Sequence, residues 1–172
     1  MKKLLILIAL LLLIASFIKY EVEPVEQPPR LNMSSYEELN KEDQKQIDCL
    51  ALNIYREAGY EPEDGKIAVA LVTMNRVKAH GFPDSVCKVV QQKTKHVCQF
   101  SWKCITRLPR IDQELYKYTR EIATLVFLNH DILEDITLGA LFYHADYVRP
   151  RWHKLEVTTK IGRHIFYKPL EI

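Results

Sequence analysis

Between residues 40 and 58 apolar side chains recur with a helical period: Ile47, Leu50, Ala51, Ile54, Tyr55 and Ala58 fall on one face. Asn40 or Asp43 is positioned to cap this helix. A turn, Gly59-Tyr60-Glu61-Pro62, leads into a second predicted helix running to about Ala79. Glu63 and Asp64 lie in its first turn, Ile67, Ala70, Leu71, Met74 and Val77 form its buried stripe, and Gly81 is the stop signal. A short third helix follows Pro83-Asp84 through Val86, Val89 and Val90. From Lys93 to Arg110 the pattern is irregular, a loop carrying two cysteines. Asp112 then caps a long helix through Leu115, Ile122, Leu125, Val126 and Leu128 to about His130. Past Gly139 the period falls to two. Strands are expected over Leu141-Phe142-Tyr143-His144, Leu155 to Lys160 and His164 to Lys168, with Ile161-Gly162-Arg163 turning between the last two. Helices first and a small antiparallel sheet last define an α+β fold.

The N-terminus follows a different rule. Lys2 and Lys3 precede an apolar run from Leu4 to Ile18, broken only by Ser16. A basic start before an apolar core reads as an export signal. As a helix the run measures about 22 Å, short of a hydrocarbon core of about 30 Å. Ala15 is a candidate last signal residue, but Leu13 stands where a small residue is preferred. Residues 1–20 are therefore either a cleaved signal peptide or an uncleaved signal-anchor crossing the inner membrane through residues 4–18. Both place the domain outside the cytoplasm, in the periplasm. Residues 21–35, with Pro24, Pro28 and Pro29, read as a Pro/Glu-rich tether. The remaining span, 36–172, is long enough for one domain with a proper core.

Composition changes this picture little. The formal charge is +2, with Lys and Arg scattered along the chain, so nothing points to nucleic acid. Cys49, Cys87, Cys98 and Cys104 all follow the apolar run, and an even number in an exported domain favours two disulfides. Three pairings are open. A zinc site using Cys98, Cys104 and His96 competes, but no CxxC pair exists and the spacing fits no common zinc knuckle. No metal is expected.

Glu57 is the leading candidate for chemistry. It ends the first helix with apolar residues behind it and a turn in front. A carboxyl group there can keep its proton near neutral pH, as a general acid must.

Several short segments, in order over Cys49 to Lys168, resemble the SleB-type cell-wall hydrolases, the spore cortex-lytic enzyme family. They are Ile54-Tyr55-Arg56-Glu57-Ala58 with Glu61-Pro62, Gly65 through Ala68-Val69-Ala70 to Asn75-Arg76-Val77, and Phe82-Pro83 with Val86-Cys87. Cys98-Gln99-Phe100-Ser101, Gly139-Ala140-Leu141-Phe142-Tyr143-His144, and Ile161-Gly162 with His164-Ile165-Phe166-Tyr167 complete the set. The resemblance implies a lysozyme-like or lytic-transglycosylase-like helical domain that cuts peptidoglycan glycan strands without a cofactor. It puts the essential glutamate at Glu57. Gly59 and Tyr60 depart from it, standing where Arg and Gly are usual; Arg56 is the neighbouring guanidinium that could substitute.

Cleavage needs an acid for the leaving oxygen and a group to capture an oxocarbenium-like carbon. Glu61 is the nearest second carboxylate for a hydrolytic scheme, although its place past the helix end also suits a turn or cap. The alternative, favoured by the resemblance, uses Glu57 alone and closes a 1,6-anhydro ring. Glu61, Asn75, Gln99, Ser101 and Tyr143 are candidate substrate contacts, with an internal hydrogen bond the competing role for Asn75. Phe100, Trp102 and Trp152 are candidate ring platforms, and His144, His153 and His164 are expected to pack or hydrogen-bond. A non-catalytic wall-binding module and a cysteine nucleophile paired with His144 are the competing classes. Small size and an anchor-like start suggest a monomeric phage endolysin; a bacterial wall-remodelling enzyme is the alternative.

Overall fold

A computed structural model describes residues 29–170 except His96. The segment 1–20, the apolar run within it, most of the tether and the proposed zinc ligand His96 lie outside the described residues. The chain divides into two units, Met1–Arg30 and Leu31–Ile172. Only the second is described in any length. Among the described residues no helix is long and apolar enough to cross a membrane.

Among the described residues four α-helices precede three strands: α1 Lys41–Ala58, α2 Glu63–Lys78, α3 Val86–Gln91, α4 Gln113–Asn129, β1 Phe142–Ala145, β2 Leu155–Ile161 and β3 His164–Pro169. Asn40 rather than Asp43 caps α1, its Oδ1 accepting from the amides of Glu42 and Asp43 at 3.0 and 2.9 Å. Asp112 caps α4 through the Leu115 amide at 3.1 Å. α2 stops at Lys78 with Ala79 as its extended C-cap, so Gly81 falls beyond the helix end.

α2 is the centre of the domain, and it corrects the expected single stripe. Ala68, Val69, Ala70, Leu71, Val72, Thr73 and Met74 are all buried, whereas Ile67 and Val77 are only half-buried. One side packs with Ile47, Leu50, Ile54, Val89 and Val126 of the helical core; the other, through Ala68 and Val72, meets Ala140 and Phe166 of the sheet. A helix covered on two sides loses its amphipathic period.

The sheet runs β1-β3-β2, antiparallel throughout. β2 and β3 are joined by Gly162-Arg163 alone, with Ile161 opposite His164. Tyr143 pairs with Phe166, so both point inward, while Phe142 and His144 point outward with Tyr167 and Ile165.

Cys49 pairs with Cys87, tying α1 to α3, and Cys98 pairs with Cys104 across the loop. All four thiols are consumed. That removes the sulfur ligands of the competing zinc site and the nucleophile of the cysteine-enzyme reading. The tether is anchored earlier than Tyr36: the Asn32 amide donates to Asn129 Oδ1 at 2.6 Å and Asn129 Nδ2 donates back to Asn32 O at 2.9 Å.

Candidate active site

Glu57 is the next-to-last residue of α1, half-buried, and it lines an open cleft of about 350 Å³ with Tyr55, Arg56, Tyr60, Glu61 and Arg110. The helix carries it there because Ile54 and Ala58 lock the same end of α1 into the core. The Tyr143 hydroxyl, inward-facing on β1, donates to Glu57 Oε2 at 3.4 Å. Burial pushes the Glu57 carboxyl above its ordinary value; the Tyr143 hydrogen bond and the charge of Arg76 pull the other way without cancelling the shift. Burial also drives the Tyr143 phenol well above its usual range, so it stays a neutral donor.

Arg76 was not singled out by the sequence, yet it is the cation behind the acid. It is only 2% exposed. Its Nε donates to Leu141 O at 2.7 Å, and its guanidinium lies over Phe82, Phe100 and Phe142 at 5.6, 5.2 and 5.8 Å from their centroids. With its amide turned to suit its neighbours, the Gln99 carbonyl oxygen accepts from both terminal nitrogens of Arg76 at 3.2 Å. Burial lowers the guanidinium's affinity for its proton, and the nearness of Tyr143 and Glu57 opposes this.

Arg56 does not play the part offered for it. Neighbouring residues on a helix point about 100° apart, and Arg56 turns away over Tyr55 to donate from Nη2 to Pro109 O at 3.2 Å. In the sequence Arg76 shows only as a cation inside an otherwise apolar helix stretch and as part of the matching segment Asn75-Arg76-Val77, neither of which gives it a role.

Glu61 borders the cleft, but its carboxylate is occupied. Oε2 accepts from the Arg163 amide at 2.9 Å, fastening the β2–β3 turn beside the end of α1. Gly162 makes room for this contact: its φ is 56°, and a Cβ there would lie 2.2 Å from Glu61 Oε2. The turn role, already one of two read for Glu61, is the one seen.

Asn75 likewise faces inward. Its Nδ2 donates to Asp135 Oδ2, Thr137 Oγ1 and Ala140 O at 2.9, 3.4 and 3.2 Å, which braces the loop entering β1. These bonds occupy the amide's donors, which is the internal role read beside the sugar contact. Gln99 serves Arg76, and Ser101 is exposed on the loop. Phe100 and Trp102 are buried, Trp102 donating from Nε1 to Asn53 Oδ1 at 3.2 Å, so neither presents a ring face. Trp152 does. Buried His164 sits edge-on to Tyr143 with centroids 5.2 Å apart, a packing role.

A glutamic acid whose pKa burial raises, a phenol beside it and a buried guanidinium acting on it meet at the cleft of this α+β domain. The chain belongs to the Cell Wall Hydrolase family, which it matches over residues 60–167. That match begins just past Glu57, so the acid itself rests on the geometry and on the local resemblance. The chain is 32% identical over 127 residues to the spore cortex-lytic enzyme of Bacillus cereus, covering 73% of this chain and 45% of that protein. It therefore spans less than half the length of the curated relatives it matches. The catalytic domain of the Bacillus cereus SleB protein is similar at 29% identity and a TM-score of 0.53, over 73% of this chain and 91% of that one. The catalytic domain of the germination-specific lytic transglycosylase SleB from Bacillus anthracis is similar at 31% identity and a TM-score of 0.56, over 73% and 95%.

Proposed function

We propose that this protein cleaves the glycan strands of peptidoglycan at a muramic acid glycosidic bond, with Glu57 as the single acid and base. The observation that carries this is the Glu57 carboxyl, its pKa raised by burial, with the Tyr143 hydroxyl on it and the Arg76 charge acting on it, while Glu61 is tied to the sheet turn. Glu57 gives its proton to the bridging oxygen, and the C1–O bond breaks with its electron pair leaving on that oxygen. The carboxylate so formed is stabilised by the Tyr143 hydroxyl and the Arg76 charge at the moment C1 becomes cation-like. Glu57 then takes the proton of the same sugar's 6-hydroxyl as its oxygen bonds to C1. The ring closes as a 1,6-anhydro product, Glu57 regains its proton and no water is consumed. Likeness to the germination-specific lytic transglycosylase SleB of Bacillus anthracis supports this outcome over hydrolysis. No metal or organic cofactor takes part in the scheme.

The two disulfides support an oxidising compartment, and the apolar run 4–18 supports delivery across the inner membrane to the periplasm, whether or not that segment is cleaved. We assign the protein to phage-directed host lysis as a monomer, with bacterial wall remodelling by the same chemistry as the alternative. Digestion of purified sacculi followed by mass spectrometry is the test. The parent should release fragments lighter by one water than hydrolytic ones, and Glu57→Gln should lose activity by at least about 100-fold with its thermal midpoint kept. Equal lysis by Glu57→Gln would reject the mechanism, and fragments of hydrolytic mass would reject ring closure alone.

A further inference from the structure

A second recess lies on the opposite face of the sheet and shares no residue with the Glu57 cleft. The strand pleat turns Phe142, His144 and Tyr167 outward there. Trp152, from the loop before β2, packs among them with ring centroids 6.0, 5.5 and 5.5 Å away. His144 Nε2 and the Tyr167 hydroxyl are hydrogen-bonded at 2.8 Å, which fixes both rings. Beside this cluster is a hollow of about 390 Å³ whose rim includes Asp146 and Arg149. Trp152 remains 41% exposed, although three rings pack against it.

Rigid aromatic faces bordered by hydrogen-bonding groups match a pyranose ring, with its apolar C–H face and polar edge. A lipid chain would find charges on the rim, and a nucleotide would find Arg149 as the rim's only cationic side chain. The cluster is also continuous with the catalytic region. Phe142 lies under the Arg76 guanidinium and 6.0 Å from Phe82, which Arg76 also covers.

We propose that this outward face is a remote glycan-binding site, which holds N-acetylated amino-sugar units of a strand away from the bond being cut. The nature of the polymer rests on the function proposed above; the site itself does not depend on Glu57. Binding at a distance from the reacting bond raises occupancy on an insoluble polymer without altering the chemical step.

The test uses the full chain carrying Glu57→Gln, titrated with N-acetylglucosamine tetramer and followed by its two tryptophan indole N–H resonances. Trp152→Phe identifies the signals. The Trp152 signal should shift saturably and that of buried Trp102 should stay. In the catalytically intact chain, Trp152→Ala should weaken sacculus binding about tenfold and leave cleavage of short soluble glycan fragments unchanged. A Trp152 resonance that stays still, or moves only with protein concentration as a second copy would make it, overturns the proposal. Because the titration is made on a chain that keeps Trp152, it decides the matter even if Trp152→Ala does not fold. Loss of cleavage in Glu57→Gln with the indole shift retained separates this site from the catalytic reading.

Discussion

Tyr143→Phe removes one oxygen atom from the site and should move the pH dependence of activity upward. The hydroxyl donates to Glu57 Oε2, and this bond favours the ionised carboxylate over the acid. Without it the carboxylate loses a donor, while the burial that already raises the Glu57 pKa persists. At 3.4 Å the contact is long beside the 2.5–2.7 Å usual for an O–H···O⁻ bond. A bond this long contributes about 1 kcal/mol, below the range of well-formed hydrogen bonds to charged groups. The Glu57 pKa should therefore rise further above its ordinary value when the donor is removed.

The sign is fixed by role. A general acid must be protonated, so activity falls as pH rises through its pKa, and a higher pKa moves that alkaline limb to higher pH. The assay is the initial rate of sacculus clearing under limiting substrate across a pH series, for parent and Tyr143→Phe, normalised to each maximum. Normalisation sets aside any loss of rate from missing transition-state stabilisation. The ring's edge-on contact with His164 and its packing on Phe166 are retained in phenylalanine, so folding should hold. An alkaline limb that stays in place or moves down would refute the link between Tyr143 and the Glu57 proton.

Three further outcomes follow from other parts of the structure. Gly162→Ala should lower stability by about 1–3 kcal/mol through positive-φ strain and the clash with Glu61, seen in denaturant titrations; an unchanged midpoint would contradict the latch. Asp135 is held below the ordinary carboxyl range: burial pushes its pKa up, but hydrogen bonds from the Thr137 hydroxyl, Asn75 and the Thr137 and Gly139 amides outweigh it. Its contribution is full above the unfolded pKa and is lost as pH falls through the depressed folded one, so Asp135→Asn should flatten the loss of thermal midpoint below about pH 4. An equal acid slope in both chains would count against it. Replacing Cys49 and Cys87 by Ser opens a 38-residue separation and should cost about 4 kcal/mol, against about 2 kcal/mol for the 6-residue separation of Cys98 and Cys104. Chemical denaturation of the two double variants reads the order.

The parts of this fold written locally were legible. Asn40, Asp112 and the spacing of Ile47, Leu50 and Ile54 mark helix starts and faces because caps and periodicity act within a few residues. The pleated segments after Gly139 were readable for the same reason. α2 was read less well, since burial on two sides hides its period. The β2 irregularity between Val157 and Thr159 leaves no pattern at all. At the site, Glu57 was visible from its helix-end setting. Arg76 was not, because its role depends on Leu141, whose carbonyl is brought to it only by folding. Asn75 was ambiguous until Asp135 and Ala140 came into reach.

In the scheme proposed above, the buried arginine also accounts for one glutamate serving in both halves of the reaction. Burial alone would make Glu57 a persistent acid that released its proton reluctantly. A cation alone would ionise it before substrate arrived. With both present, burial prevails in the resting site, and the Arg76 charge and Tyr143 hydroxyl lower the cost of the carboxylate once the proton has gone. Arg76 can hold its own charge at 2% exposure because Leu141 O, Gln99 and three aromatic faces surround it even while Glu57 is neutral. Removing that cation, as in Arg76→Met, should therefore raise the Glu57 pKa further than Tyr143→Phe does and slow the step in which the carboxylate forms. A normalised pH profile for Arg76→Met lying below that of Tyr143→Phe, in a chain with native near-UV circular dichroism, would show that the balance is not struck between burial and this charge.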